Sequence, residues 1–129
     1  MKEKDFQAKI QSGLKIANAM VLNIHGHAMQ AAGWPDLYVC HWRWKGWIEL
    51  KVGTRQATPL QRIKLRELSI RNERCCLLKL ITDKVEVYAI MNKKDLEYCG
   101  VIPWEKWIDP IAALNIADGM IATKRRAKK

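Results

Sequence analysis

The run Trp47-Ile48-Glu49-Leu50-Lys51-Val52 limits the fold more than any other stretch of the chain. Aliphatic and charged residues alternate in it with a period of two. On a strand, Ile48, Leu50 and Val52 therefore share one face while Glu49 and Lys51 share the other. The earlier run Leu37-Tyr38-Val39-Cys40 has the β-branched and aromatic character of a second strand. Arg43 to Gly46 supplies a turn between the two. A hairpin closed there sets Asp36, in Gly33-Trp34-Pro35-Asp36, beside Glu49, with twelve residues between them. Two carboxylates and one ammonium then meet at one point, a setting suited to a divalent metal and a phosphodiester. Taken singly, Glu-x-Lys also reads as the wet face of a half-buried strand, and Pro-Asp as turn chemistry.

The rest of the pattern surrounds that hairpin with helices. Phe6, Ile10, Leu14, Ala17 and Val21 recur at helical spacing and predict a helix over about 3–22, followed by a brief strand near 21–25. The hairpin strands are expected near 36–42 and 46–52. Thr58-Pro59-Leu60-Gln61 reads as N-cap, proline at the first helical position and capping-box glutamine, opening a helix to about Asn72 with Leu60, Ile63 and Leu68 inward. Cys76 to Ile81 is apolar enough for a central strand, and Val85 to Ala89 alternates like the strand after a Thr82-Asp83-Lys84 turn. Asn92 to Tyr98 is expected as a short helix ended by Gly100, and Asp109-Pro110 as the cap of a last helix through Ile116. The order αβββαβ implies an α/β fold with a mixed central sheet flanked by helices, in one domain over 1–123. Lys124-Arg125-Arg126-Ala127-Lys128-Lys129 is read as a mobile basic C-terminal tail over 124–129, either solubilising or DNA-tracking.

Composition narrows the partners. With 23 Lys and Arg against 13 Asp and Glu, the 129-residue chain carries a formal charge of +10. Such an excess calls for a polyanion, and nucleic acid is the commoner one. The charged N-terminus leads into no apolar h-region and no stretch reaches a membrane span, so a soluble, intracellular (cytoplasmic) protein is expected. Cys40, Cys75, Cys76 and Cys99 lack Cys-x-x-Cys spacing and are read as reduced core residues.

Gly-x-Pro-Asp followed by Glu-Leu-Lys resembles the signature of the PD-(D/E)xK nuclease superfamily. Glu3-Lys4-Asp5-Phe6-Gln7 looks like the Glu-x-x-x-Gln that begins the first helix of its VRR-NUC branch. Gly53 to Gln61 is similar to the segment after that branch's catalytic strand, where Ser/Thr-Pro-x-Gln starts the next helix. The resemblance spans roughly residues 3–90; Gln56 and Thr58 differ from the branch's usual wording. It implies a restriction-endonuclease-like core and a small endonuclease, akin to Holliday-junction resolvases, that hydrolyses DNA phosphodiesters with Mg²⁺ or Mn²⁺ and no organic cofactor. Branched DNA and a homodimer are the implied partners. Duplex or single-strand nicking is the enzymatic alternative, and a non-catalytic basic DNA-binding module the other.

The resemblance also implies roles. Asp36, Glu49 and the Leu50 carbonyl would hold the metal, which suits hard oxygen ligands. Lys51 would position the attacking water or stabilise the transition state. Glu3 would reach the metal shell from the first helix, with Asp5 as its rival. Gln61 would contact phosphate or water, or serve only its capping box. His25-Gly26-His27 reads as a phosphate contact rather than a metal pair, since neither a third imidazole nor a Cys cluster accompanies it. Trp42-Arg43-Trp44-Lys45-Gly46-Trp47 interleaves aromatics and cations, which fits base stacking and a dimer contact equally.

Overall fold

A computed structural model describes residues 1–24 and 32–128; His25, Gly26 and His27 lie outside the described residues. The chain runs α1 (Glu3–Ile16), β1 (Met20–Asn23), β2 (Leu37–Cys40), β3 (Lys45–Val52), α2 (Pro59–Ile70), β4 (Cys75–Ile81), β5 (Lys84–Met91), β6 (Asp95–Pro103), a 3-10 turn (Trp104–Ile108) and α3 (Pro110–Ala127). The six strands form one sheet in sequence order. β3 and β4 are parallel, joined through α2, and every other neighbouring pair is antiparallel. The α/β class, the mixed sheet and the leading αβββαβ order are as the sequence implies.

β3 separates two cores. Ile48 and Leu50 join Cys76, Leu78, Leu80, Val85 and Val87 in the larger one, closed by Phe6, Ile10 and Leu14 of α1 and by Ile111, Leu114 and Ala117 of α3. Each fully buried Leu, Ile, Val or Phe among them stabilises the fold by about 1.5–3 kcal/mol in transfer energy. On the other face Leu65 and Leu68 of α2 pack with Cys75 and Ile90, flanked by Trp34, Trp47 and Leu96.

Several boundaries differ from the sequence pattern, each for a local reason. α1 stops at Ile16 because Asn18 takes a left-handed φ of 66°. The Ala19 amide then donates to the Leu14 carbonyl and the Asn18 amide to Lys15, closing a Schellman end. Val21, which continues the helical spacing, belongs to β1. The hairpin turn lies at His41–Trp44, with Cys40 opposite Lys45. Gly46 is inside β3, where a Cβ would lie 2.7 Å from the Arg74 carbonyl oxygen; it permits a close crossing instead of a turn. In α2 the inward residues are Leu65 and Leu68, whereas Leu60 and Ile63 are exposed.

The expected helix at Asn92–Tyr98 is a hairpin instead. Asn92 and Lys93 both adopt positive φ, 54° and 55°, and the Lys94 amide donates to the Met91 carbonyl at 3.0 Å, closing a tight turn in the three-residue loop between Met91 and Asp95. β6 then pairs with β5 along its length. α3 is capped by Asp109 as expected but continues to Ala127, well beyond Ile116. The basic end is thus the last turn of a docked helix rather than a mobile tail. Arg125 donates to the Ile90 carbonyl, and Lys124 and Lys128 pair with Glu97.

The α2 start can be tested directly. Thr58 Oγ1 accepts from the Gln61 amide at 3.1 Å, and Gln61 Oε1 accepts from the Thr58 amide at 2.9 Å. Thr58→Ala is expected to lower the unfolding free energy by about 1 kcal/mol, with Thr58→Ser retaining most of it; urea denaturation of both variants reads the difference.

Candidate active site

Register brings the two acids together. Leu37 faces Ile48 across the antiparallel β2–β3 pair, so Asp36, one residue before the strand, falls beside Glu49. Its side chain completes the pairing: the Leu50 amide donates to Asp36 Oδ2 at 2.8 Å. Glu49 lies two residues before Lys51 on the same face, and Lys51 Nζ stands 3.4 Å from Glu49 Oε2. The segment before Asp36 is fastened as well. Gly33 has φ 80° and a Cβ there would lie 2.7 Å from Leu60, so the chain passes close under α2. Trp34 then stacks on Trp47 at 5.2 Å, and Tyr38 on Trp47 at 4.9 Å.

Burial decides between the two readings of Glu-x-Lys. Glu49 is 1% exposed, Lys51 3% and Asp36 8%. A wet strand face would leave such side chains in water, and burying charge is unfavourable unless something compensates it. The compensation here is incomplete. Glu49 Oε1 is buried and finds no donor among the described residues. Burial, and then the neighbouring Asp36 carboxylate, push the Glu49 carboxyl up to about 8, with the Lys51 ammonium pulling the other way. Ionising both acids thus leaves more negative charge than Lys51, the one ammonium paired with Glu49 among the described residues, offsets.

That shortage fits a divalent cation. Two hard carboxylates flank an oxygen that lacks a donor, and among the described residues no group of three or more His, Cys, Asp or Glu converges. An ion held here would take two carboxylates from the chain and complete its shell with carbonyl, water or phosphate oxygens, as Mg²⁺ commonly does.

The other expected residues are placed as follows. Glu3 opens α1, is half-buried with Oε1 shielded, and has Arg55 Nε at 3.9 Å, whereas Asp5 is exposed. Glu3 is thus the inward acid of the pair. Gln61 uses Oε1 in the capping box, which leaves only its amide group for any further contact. Leu50 holds Asp36 through its amide.

One residue of this face escaped the sequence pattern. Lys79 is the register partner of Lys51 on the parallel neighbour β4 and is 4% exposed. Since Leu78 and Leu80 point into the larger core, Lys79 shares the face of Glu49 and Lys51. Its ammonium sits 5.4 Å from the Tyr88 ring centroid, and Tyr88 donates to Glu86 Oε1 at 2.8 Å. The signal was a lone lysine within Leu77-Leu78-Lys79-Leu80-Ile81, out of place in an otherwise apolar central strand.

No protein-family model matches the chain, and no curated protein matches it. Among solved structures, the chain is similar to Hjc, a Holliday junction resolvase from the archaeal hyperthermophile Archaeoglobus fulgidus. Identity is 12% and the TM-score 0.48, over 86% of this chain and 95% of that one. Among the described residues no helix is long and apolar enough to cross a membrane.

The Glu49 carboxyl ties stability to pH. Its value rises on folding from 4.5 to about 8, so across that window the folded chain binds more protons than the unfolded chain. Stability is then greatest below the lower value and declines as pH rises through the upper one, by at most about 1.4 kcal/mol per pH unit. Urea titrations of the metal-free protein across that same window are expected to show the decline, and Glu49→Gln to flatten it.

Proposed function

We propose that the chain is a divalent-metal-dependent DNA endonuclease of the PD-(D/E)xK type, selective for branched DNA such as a Holliday junction. The observation that carries this reading is the buried convergence of Asp36, Glu49 and Lys51, with a Glu49 oxygen that finds no donor among the described residues. The formal charge of +10 supports a polyanionic substrate.

Asp36, Glu49 and the Leu50 carbonyl would hold Mg²⁺ or Mn²⁺. When bound, the ion supplies Lewis-acid polarisation of the phosphate and charge opposite the leaving oxygen. Asp36 is oriented for this by the Leu50 amide, which occupies Oδ2. Glu49 has to give up the proton that burial and Asp36 favour, so it enters the site as a base whose ordinary acidity has been suppressed. Lys51 stays within ion-pair distance of Glu49. A buried ammonium there can orient a water or meet charge that develops on the phosphorane, where a low dielectric strengthens the interaction. Lys79, next to it in register, adds a second ammonium for a non-bridging or flanking phosphate oxygen. Glu3 is assigned the outer metal shell and Gln61 a water or phosphate contact through its free amide group.

Substitution separates these roles. Asp36→Asn keeps an oxygen acceptor for the Leu50 amide and Glu49→Gln keeps the side-chain volume, so both are expected to fold and to lose metal-dependent cleavage. Lys51→Ala should lower turnover about 10²–10³-fold while retaining metal affinity. Cleavage of linear, nicked, flap and four-way DNA in Mg²⁺, with calorimetry for the metal, checks each outcome. Full turnover in either acid variant would overturn the assignment.

Paired incision of a four-way junction needs two active sites related by a two-fold axis, and one chain carries one acid pair. We therefore assign a homodimer to the junction-cutting form. At the hairpin tip, Trp44 is buried whereas Trp42 is 82% exposed, so Trp42 is the indole the tip offers to a partner. Light scattering at micromolar concentration, with and without junction DNA, is expected to give twice the chain mass; a monomer in both states would favour the single-strand nicking enzyme.

A further inference from the structure

At the end of the sheet where β3 and β4 begin, a cavity of about 880 Å³ opens between the C-terminal parts of α2 and α3. Lys45, Arg74, Lys93 and Arg125 line it against two acids, Glu73 and Asp118. Asp118 is already engaged by Arg74 Nε at 3.4 Å, so the cavity keeps an excess of positive charge. The same hairpin that contributes Lys45 carries Trp42, 82% exposed.

Trp42 is held out by an anchored turn. The Arg43 amide donates to His41 Nδ1 at 3.0 Å, which leaves His41 Nε2–H to donate to the Ala17 carbonyl at 3.0 Å. The imidazole is thereby fastened to both the turn and the end of α1, and the Trp42 indole stands edge-on to it at 5.2 Å. A hairpin tip imposes no need for a large aromatic, and leaving one in water forgoes its burial energy. Arg43 beside it is exposed too. An open indole on the hairpin whose Trp44 and Lys45 line a cationic groove is the combination that binds unpaired nucleotides: the groove follows phosphates and the ring stacks on a base.

We infer that this pole of the molecule is a binding surface for single-stranded nucleic acid, separate from the acid site and joined to it by β3. The inference rests on the nucleic-acid reading above and, among branched DNAs, favours one with an unpaired segment beside the cut, such as a flap, over a fully paired four-way junction. Lys45 stands four residues before Glu49 and six before Lys51 on one strand, roughly 13 and 20 Å at about 3.3 Å per residue. With about 3.4 Å per stacked nucleotide, a strand seated in the groove reaches the acids after roughly four to six nucleotides.

The test measures binding apart from cleavage. Fluorescence anisotropy of labelled 20-nucleotide single-stranded and duplex DNA, in EDTA across a salt series, compares wild type with Trp42→Ala, Trp42→Phe and the pair Lys45→Ala/Lys93→Ala. Trp42→Ala is expected to weaken single-strand binding about 5- to 100-fold and leave duplex binding unchanged, with Trp42→Phe restoring most of the loss. The lysine pair should shallow the logarithmic salt dependence of single-strand binding by about 1.4, roughly 0.7 for each phosphate deprived of its ammonium. Unchanged single-strand affinity and slope would overturn the inference. So would equal losses on both DNA forms in Trp42→Ala, or a change confined to oligomeric state, which would make the tip a protein contact. A chain that cleaves normally yet shows neither effect refutes this surface and spares the acid site; binding effects without any cleavage do the reverse.

Discussion

The hydrogen bond from the Leu50 amide to Asp36 Oδ2, at 2.8 Å, joins sheet construction and chemistry in one contact. Beyond the last backbone pair of β2 and β3, the Leu50 amide would be a buried donor without an acceptor, and leaving it so costs about 1–3 kcal/mol. Asp36 supplies that acceptor and is fastened in return. The position of the first acid is therefore set by a requirement of the fold, independent of whether any ligand is bound. Glu49 and Lys51 follow from the same strand, since the aliphatics between them are committed to the core beneath α1 and α3.

Stability and reactivity pull against each other around that contact. Buried carboxylates of like sign oppose one another, and a hydrophobic replacement of such groups is often neutral or stabilising. The surrounding architecture absorbs the penalty: Trp34, Trp47 and Tyr38 brace one flank, and Lys79 and Tyr88 the other. Unsatisfied charge held in a rigid frame is a common arrangement for sites that act on an anion, because the frame has little reorganising left to do when the ligand arrives.

Much of this is legible in the sequence, where side-chain period and turn chemistry agree. The alternation in β3, the Thr58–Gln61 capping box and the αβββαβ order all follow from local rules, and Asp36 beside Glu49 follows from closing one hairpin. The pattern misleads where a residue has two meanings. Val21 continues the spacing of α1, yet Asn18 at φ 66° has already ended the helix. Asn92-Lys93 carries no glycine, so its turn geometry is invisible beside a stretch that also suits a helix. Gly46 resembles a turn residue, but its smallness serves the approach of the Arg74 backbone, a neighbour twenty-eight positions away in the chain. Lys79 acquires meaning only through its parallel register with Lys51, and long-range pairing is what a local pattern lacks.

The alternation along β3 has a consequence for how such a chain can vary over generations. Strand side chains reverse face at each residue, so a single insertion or deletion between the hairpin tip and Ile48 would turn Glu49 and Lys51 into the apolar core and swing Ile48 and Leu50 toward Asp36. Changes of two residues preserve the faces, but they shift the distance between tip and carboxylates by one strand repeat. Length drift in this segment is thus restricted to even steps, each of which moves the cationic pole relative to the acids. The loops beyond Val52 are under no such parity rule and are free to lengthen or shorten.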